Sequence, residues 1–355
     1  MHRATPQNSR RAVAAWLFAC CALVFAMVVV GGITRLTQSG LSIVEWQPVI
    51  GAVPPLDEPR WQAEFDKYKL SPEYRQRNFD MTLDAFKGIY WWEYGHRLLG
   101  RLVGFAFLLP YLWFLVRGAI RGPLAWRLAG IFVLGGLQGV VGWFMVKSGL
   151  VDDPHVSSIR LAAHLGLAFL IYGAMFWVAL GLARGPVQRA GAGLVRLSRA
   201  FSLLVFVMVL SGALVAGIHA GLAYNTFPLM NGQWIPDEIF LIEPRWKNFI
   251  FNMATVQLDH RAMAFLVALG AILLWWGTRR DAAAGEPHRA WSGALLAVVA
   301  LQISAGIATL LARVPIPLAA MHQAGAIIVF TCALGLAHAL QGGADYIGKE
   351  RMAGM

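Results

Sequence analysis

The chain has 355 residues, 58% of them apolar and 14% charged, with a formal net charge of +11. A soluble domain carries about 25% charged residues, so an ordinary water-soluble enzyme is excluded. The three cysteines, Cys20, Cys21 and Cys332, all lie inside apolar runs, which excludes a disulfide-framed secreted domain and makes them small packing residues.

Eight apolar runs follow one another, at 13–33, 92–116, 128–146, 158–182, 200–218, 252–277, 291–311 and 316–340. Runs of about 20 residues have the length of helices crossing a bilayer. The expected fold is an all-α integral membrane protein with eight transmembrane helices. The first run reads as a retained helix: it outlasts the apolar region of a signal peptide, and no Ala-x-Ala-like cleavage site follows in GGITRLTQSG. The largest loop, 35–86, is polar and mixed in charge, with a short helix expected at 59–69.

With eight spans the two ends share a side. The segments on that side hold 15 Lys and Arg against four Asp and Glu; the opposite loops hold 12 against 13. The positive-inside rule makes the first side cytoplasmic, with both termini, in a bacterial inner membrane. The basic charge is therefore a topology signal, with membrane lipid as its partner and no nucleic acid. Most of these arginines anchor at lipid headgroups.

The chain repeats itself. WEYGHRLLGRLVG in span two aligns with VQLDHRAMAFLVA in span six, so that His96 and Arg97 fall on His260 and Arg261 at an offset of 164. The same offset carries Leu137–Gln138 onto Leu301–Gln302 and Gly142 onto Gly306. LAAHLG in span four answers LAAMHQAG in span eight, placing His164 on His322, and SGLSIVEWQP after span one echoes AGLAYNTFP after span five. Several ordered matches predict two tandem pseudo-symmetric four-helix bundles, 1–190 and 191–355, parallel because four spans return the chain to its starting side.

Of nine histidines, His2, His155, His219, His288 and His338 read as solvated or interfacial. His96, His164, His260 and His322 differ: each lies four to eight residues past the entry of a span running inward, which places all four at one depth near the outer side. Ionisable groups inside a membrane are costly and point to function. A structural zinc site wants four close ligands, usually with thiolates, and no cysteine is near in sequence. A haem iron takes two axial ligands on opposite faces of a flat ring, and facing helices of a four-helix bundle supply them. Each half then offers one bis-histidine haem site. Gly95, Gly100 and Gly104 would let a macrocycle approach the helix, and Arg97, Arg101 and Arg261 would either meet haem propionates or lie among headgroups. Glu93 lies one turn before His96, placed to exchange protons beside that iron or simply to favour a helix N-terminus. Its counterpart is Gln257, while Asp259 stands where the first half has Gly95. This asymmetry puts chemistry in the first half and a permanent cofactor in the second.

GGITRLTQSGLSIVEWQPVIGAVPPL, EYGHRLLGR, NTFPLMNG and LDHRAMAF closely resemble haem A synthase, over nearly the whole chain. The resemblance is to the α-proteobacterial and mitochondrial type; the outer-loop cysteine pair of some bacterial members is missing, so no thiol–disulfide role carries over. The resemblance implies oxidation of the C8 methyl of haem O to a formyl group through successive hydroxylations, giving haem A for haem–copper oxidases. It implies a haem b cofactor on His260 and His322, the substrate haem on His96 and His164, and a catalytic acid at Glu93. It implies haem O synthase and oxidase assembly factors as partners, with an unidentified electron donor or acceptor; homo-oligomerisation is left open. The residues alone also admit a dihaem cytochrome passing electrons between quinol and an acceptor, or a repeat-built transporter. The cytochrome leaves the Glu93/Gln257 asymmetry unexplained, and the transporter needs a central path that histidines near one surface do not line.

Overall fold

Five of the eight long apolar helices begin on a signal visible in the chain. The computed structural model describes residues 6–46, 51, 53–150, 156–185 and 187–342. It holds eight helices long and apolar enough to span a membrane: α1 (Pro6–Leu36), α4 (Leu83–Val116), α5 (Gly122–Gly149), α6 (Ser158–Ala183), α7 (Ala192–Gly217), α10 (Met253–Arg280), α11 (Glu286–Leu311) and α12 (Ile316–Leu340). Thr82 caps α4 by accepting from the Ala85 amide at 3.3 Å, and Asn252 caps α10 by accepting from Ala254 and Thr255 at 2.9 and 3.1 Å. Prolines stand in the first turns of α5, α11 and α12, where a missing amide hydrogen costs no helical bond. No strand forms among the described residues; a single bridge pairs Met230 with Gln233. The protein is an all-α, multi-pass membrane protein.

The short elements all lie between α1 and α4 or between α7 and α10: α2 (Glu58–Lys69), α3 (Pro72–Gln76), α8 (Ala220–Ala223) and α9 (Asn248–Phe251). The helix expected at 59–69 is α2. The loop expected to run to Phe86 ends at Thr82 instead, because α4 starts about two and a half turns earlier than the apolar run. That overhang is clad by an aromatic cluster, with Trp61, Phe65 and Tyr68 of α2 against Phe86, Tyr90 and Tyr94 of α4. The residues there pack against protein and not lipid, which is why an apolar-run reading stops short of them.

Within the first four spans α1 touches α4, α4 touches α5, α5 touches α6 and α6 closes back on α1. Within the last four the same cycle runs α7, α10, α11, α12. The core lies where the two cycles meet, with α1 and α6 against α12 and α6 against α7; Leu17, Phe169, Met175, Ile327 and Leu336 are fully buried there. Tyr172 and Thr331 share a hydrogen bond of 2.7 Å across this seam. On the short-loop face the Ala190 amide donates to the Leu340 carbonyl at 3.1 Å, so the linker between the cycles is stitched to the end of the last helix.

All three cysteines are free and buried, as packing residues should be. Two histidine readings are corrected. His288 and His338 are buried: the His288 imidazole accepts from the Gly285 amide at 2.9 Å and meets the Ala339 carbonyl at 3.1 Å, and His338 stands edge-on to Trp177. Both lie at the ends of helices, but the packing of α11 on α12 covers them. His219 is exposed at the start of α8, whereas His2 and His155 fall outside the described residues.

Candidate functional site

His96 is on α4 and His164 on α6, helices at opposite corners of the first cycle; His260 on α10 and His322 on α12 repeat the arrangement in the second. Each histidine lies within Coulombic reach of its partner, His96 with His164 and His260 with His322. Among the described residues no group of three or more His, Cys, Asp or Glu comes together. Two pairs of imidazoles without carboxylate or thiolate suit two irons held axially, and do not suit a closed four-ligand ion site.

Each imidazole is seated on a glycine of the neighbouring helix. A Cβ built on Gly31 of α1 would stand 2.8 Å from His96 Cε1, one on Gly142 of α5 2.9 Å from His164 Cε1, one on Gly212 of α7 3.2 Å from His260 Cε1, and one on Gly306 of α11 2.8 Å from His322 Cε1. Only glycine lets the ring lie that close to the wall. The glycines also fix the depth. Gly31, Gly212 and Gly306 each lie five residues before the last residue of their helices, and Gly142 seven before the end of α5. At 1.5 Å per residue this is about 8–10 Å below the long-loop end in all four cases. His96 is 13 residues into α4, against six or seven for the others in their helices, but the extra turns are the overhang and leave its depth unchanged.

Buried nitrogens test the fit to a haem. The Nδ1 atoms of His96, His164 and His322 are buried with no protein partner. An unsatisfied buried polar atom costs about 1–3 kcal/mol; His338 Nδ1 is left in the same state elsewhere, so it is the common level of these three, and their glycine seats, that set them apart. His260 Nδ1 instead meets Ser211 Oγ at 3.2 Å. Glutamines fix the backbone beneath two of the rings: Gln138 Nε2 donates to the His164 carbonyl at 3.0 Å, and Gln302 Nε2 to the His322 carbonyl at 2.8 Å. The donor set and the glycine cradles fit a bis-histidine haem in each half.

The acid and the arginines form a clamp. Glu93 is buried, and its carboxylate accepts four hydrogen bonds: from Ser42 Oγ at 2.7 Å, the Ile43 amide at 2.8 Å, and Arg97 Nε and Nη2 at 3.0 and 2.6 Å. Arg97 also donates to the carbonyls of Ile43 and Glu45 at 2.8 and 3.0 Å, with its guanidinium over the Trp46 ring. In the second half Arg261 donates to the carbonyls of Tyr224 and Thr226 at 3.1 and 2.8 Å, and to those of Pro228 and Leu229. Gln257 donates to the Tyr224 carbonyl at 2.8 Å. Arg97 and Arg261 thus fasten the long loops onto α4 and α10 at the mouth of each site. Glu93 faces this loop and makes no hydrogen bond to His96. Arg101 lies one turn further along α4. Of the glycines expected to admit a macrocycle, Gly95 and Gly104 face open space, while Gly100 is covered by Met27.

The family model described as cytochrome oxidase assembly protein matches residues 14–334. The chain is 56% identical to haem A synthase of Nitrosospira multiformis over 94% of both chains. It is 52% identical to that of Nitrosomonas eutropha, covering 91% of this chain and 92% of the relative, and 51% identical to that of Parvibaculum lavamentivorans, covering 94% and 95%. The chain belongs to the haem A synthase family. Sequence reasoning singles out Glu93, His96, Arg97, Arg101, His260 and Arg261 within motifs that resemble this family, and His164 and His322 through the internal repeat; it gives no role to Gly31, Gly212 or Ser211. For Gln138, Gln302, Gly142 and Gly306 the signal was present, since the 164-residue offset matches both pairs.

Proposed function

We propose that this member of the haem A synthase family oxidises the C8 methyl group of haem O to a formyl group, giving haem A for haem–copper oxidases. The observation that carries the reading is the pairing of His96 with His164 and of His260 with His322 at one depth, each ring on its own glycine. The chain forms two four-helix halves, 1–190 and 191–355. The second holds haem b on His260 and His322, and the first holds the substrate haem on His96 and His164. A bis-histidine haem supplies reversible one-electron transfer when bound. This chain's residues do the rest. The glycines and glutamines aim the imidazoles, and the clamped loops 42–46 and 224–229 keep water from the mouths.

Glu93 is the acid of the substrate half, and Ser42 Oγ, at 2.7 Å, is the hydroxyl through which a proton reaches or leaves its carboxylate. Arg97, Arg101 and Arg261 are the cations that would meet haem propionates. The protein lies in a bacterial inner membrane with both termini cytoplasmic and the sites toward the periplasm, receives haem O from haem O synthase, and works with oxidase assembly factors and a separate electron partner. Pigment analysis of cells that accumulate haem O tests the reaction: haem A appears when the chain is expressed, and its failure to appear refutes the assignment.

A further inference from the structure

The segment GGITR, Gly31 to Arg35, has been used so far only for its first glycine. It belongs to a short stretch of α1, 28–35, that is held from four directions. On one side Gly31 carries the His96 ring. On the other, Gln323, the residue after His322, lies against Gly32, whose Cβ would stand 2.6 Å from the glutamine Cδ. Gln323 Nε2 donates to the Val28 carbonyl at 2.7 Å. Thr34 Oγ1 donates to the Trp92 carbonyl of α4 at 3.3 Å, and Arg35 donates to the Ala216 carbonyl at the end of α7. The matching stretch of α7 has Ala213, Val215 and Ala216 where α1 has Gly32, Thr34 and Arg35, and Leu165 follows His164 where Gln323 follows His322. The second half's histidine therefore has a polar tie into the first half, and the first half's histidine has no such tie in return.

We infer that the 28–35 stretch of α1 couples the two histidine sites, with Gln323 as the positioning residue that makes the seating of His96 depend on the helix bearing His322. The inference rests on the assignment of both sites made above. The coupling is mechanical: Gln323 sets where α1 stands against α12, and α1 at Gly31 is the floor under the His96 ring.

The test uses the full chain purified with its resident haem and titrated with protohaemin. Gln323→Leu, which copies Leu165, leaves the resident haem at full stoichiometry but weakens binding of the added haem about fivefold, the fold-change of one lost net hydrogen bond. It also shifts the electron paramagnetic resonance of the added haem. Gly32→Ala, pushing on the same contact from α1, reproduces both changes, and carries the test if Gln323→Leu does not survive purification. Tyr172→Phe removes another inter-half hydrogen bond, away from the histidines, and leaves the added-haem signal unaltered. Equal effects of Tyr172→Phe and Gln323→Leu would reduce the result to a loosened seam and overturn the coupling, as would an unchanged signal in both Gln323→Leu and Gly32→Ala. His96→Ala is the reference: if it spares the added haem, the assignment of the first site itself fails, whatever Gln323 does.

Discussion

Gly306 offers the most direct check on the way these imidazoles are held. Its replacement by Ala puts a methyl carbon 2.8 Å from His322 Cε1. Carbon atoms rest at about 3.5–4.0 Å, so the ring must retreat by about 0.7 Å or α11 must move away from α12. Over-packing of this kind costs about 1–3 kcal/mol, which corresponds to about 5- to 150-fold in affinity for a haem ligated through that ring. The matched change in the first half, Gly142→Ala, sets its methyl 2.9 Å from His164 Cε1. The two variants should separate the sites. Gly306→Ala loses resident haem, read as haem per polypeptide by pyridine haemochrome and as transfer rate to apomyoglobin. Gly142→Ala keeps the resident haem and lowers conversion of haem O. A Gly306→Ala protein with wild-type haem content and transfer rate would show that the glycine seat does not position an iron ligand.

Glu93→Gln replaces one acceptor oxygen by a donor amide facing Ser42, Ile43 and Arg97; breaking such a buried pair typically costs about 3–5 kcal/mol. Turnover should vanish with resident haem retained, and protease sensitivity of the 42–46 loop should rise; activity within a few fold of wild type would remove Glu93 from the chemistry. On the long-loop face Glu73 is buried beneath α2, where desolvation raises its carboxyl to about 7, partly offset by the hydrogen bond from Tyr68 at 3.1 Å. Because the folded-state value lies above the ordinary 4.5, the neutral acid favours the packed form, and stability of the α2–α3 cap falls as pH rises from about 4.5 to 7. Hydrogen exchange over 57–82 should accelerate across that interval, and Glu73→Gln should flatten the dependence; equal slopes in both proteins would refute it.

The eight spans were legible because bilayer-facing and seam-facing residues are both apolar, so a run of about 20 is enough whichever way a helix turns. What lies beyond the bilayer was not. Residues 83–91 form helix because Trp61, Phe65 and Tyr68 cover them; each segment carries its aromatics at helical spacing, but the pairing of the two segments has no signature in either. His288 and His338 looked solvated because they stand at run ends, and only the approach of α11 to α12 shows them enclosed. The candidate site was legible in its histidines, since both recur in order, His96 with His260 at an offset of 164 and His164 with His322 at 158. Its supports were legible where they duplicate too, as Gln138 and Gln302 do at an offset of 164 and Gly31 and Gly212 do at 181, the offset that carries SGLS onto AGLA; Ser211, with Val30 at the matching position, emerges from geometry alone. For Arg97 and Arg261 the structure adds hydrogen bonds to loop carbonyls, a use that sequence does not distinguish from pairing with an anionic ligand.

The bond from Gln323 to Val28 joins the last membrane helix to the first across 295 positions of chain. A ribosome delivers α1 at the outset and α12 at the end, so that carbonyl waits through the making of six other spans. The tie between the first span and Gln323 therefore cannot form until the final helix has been made.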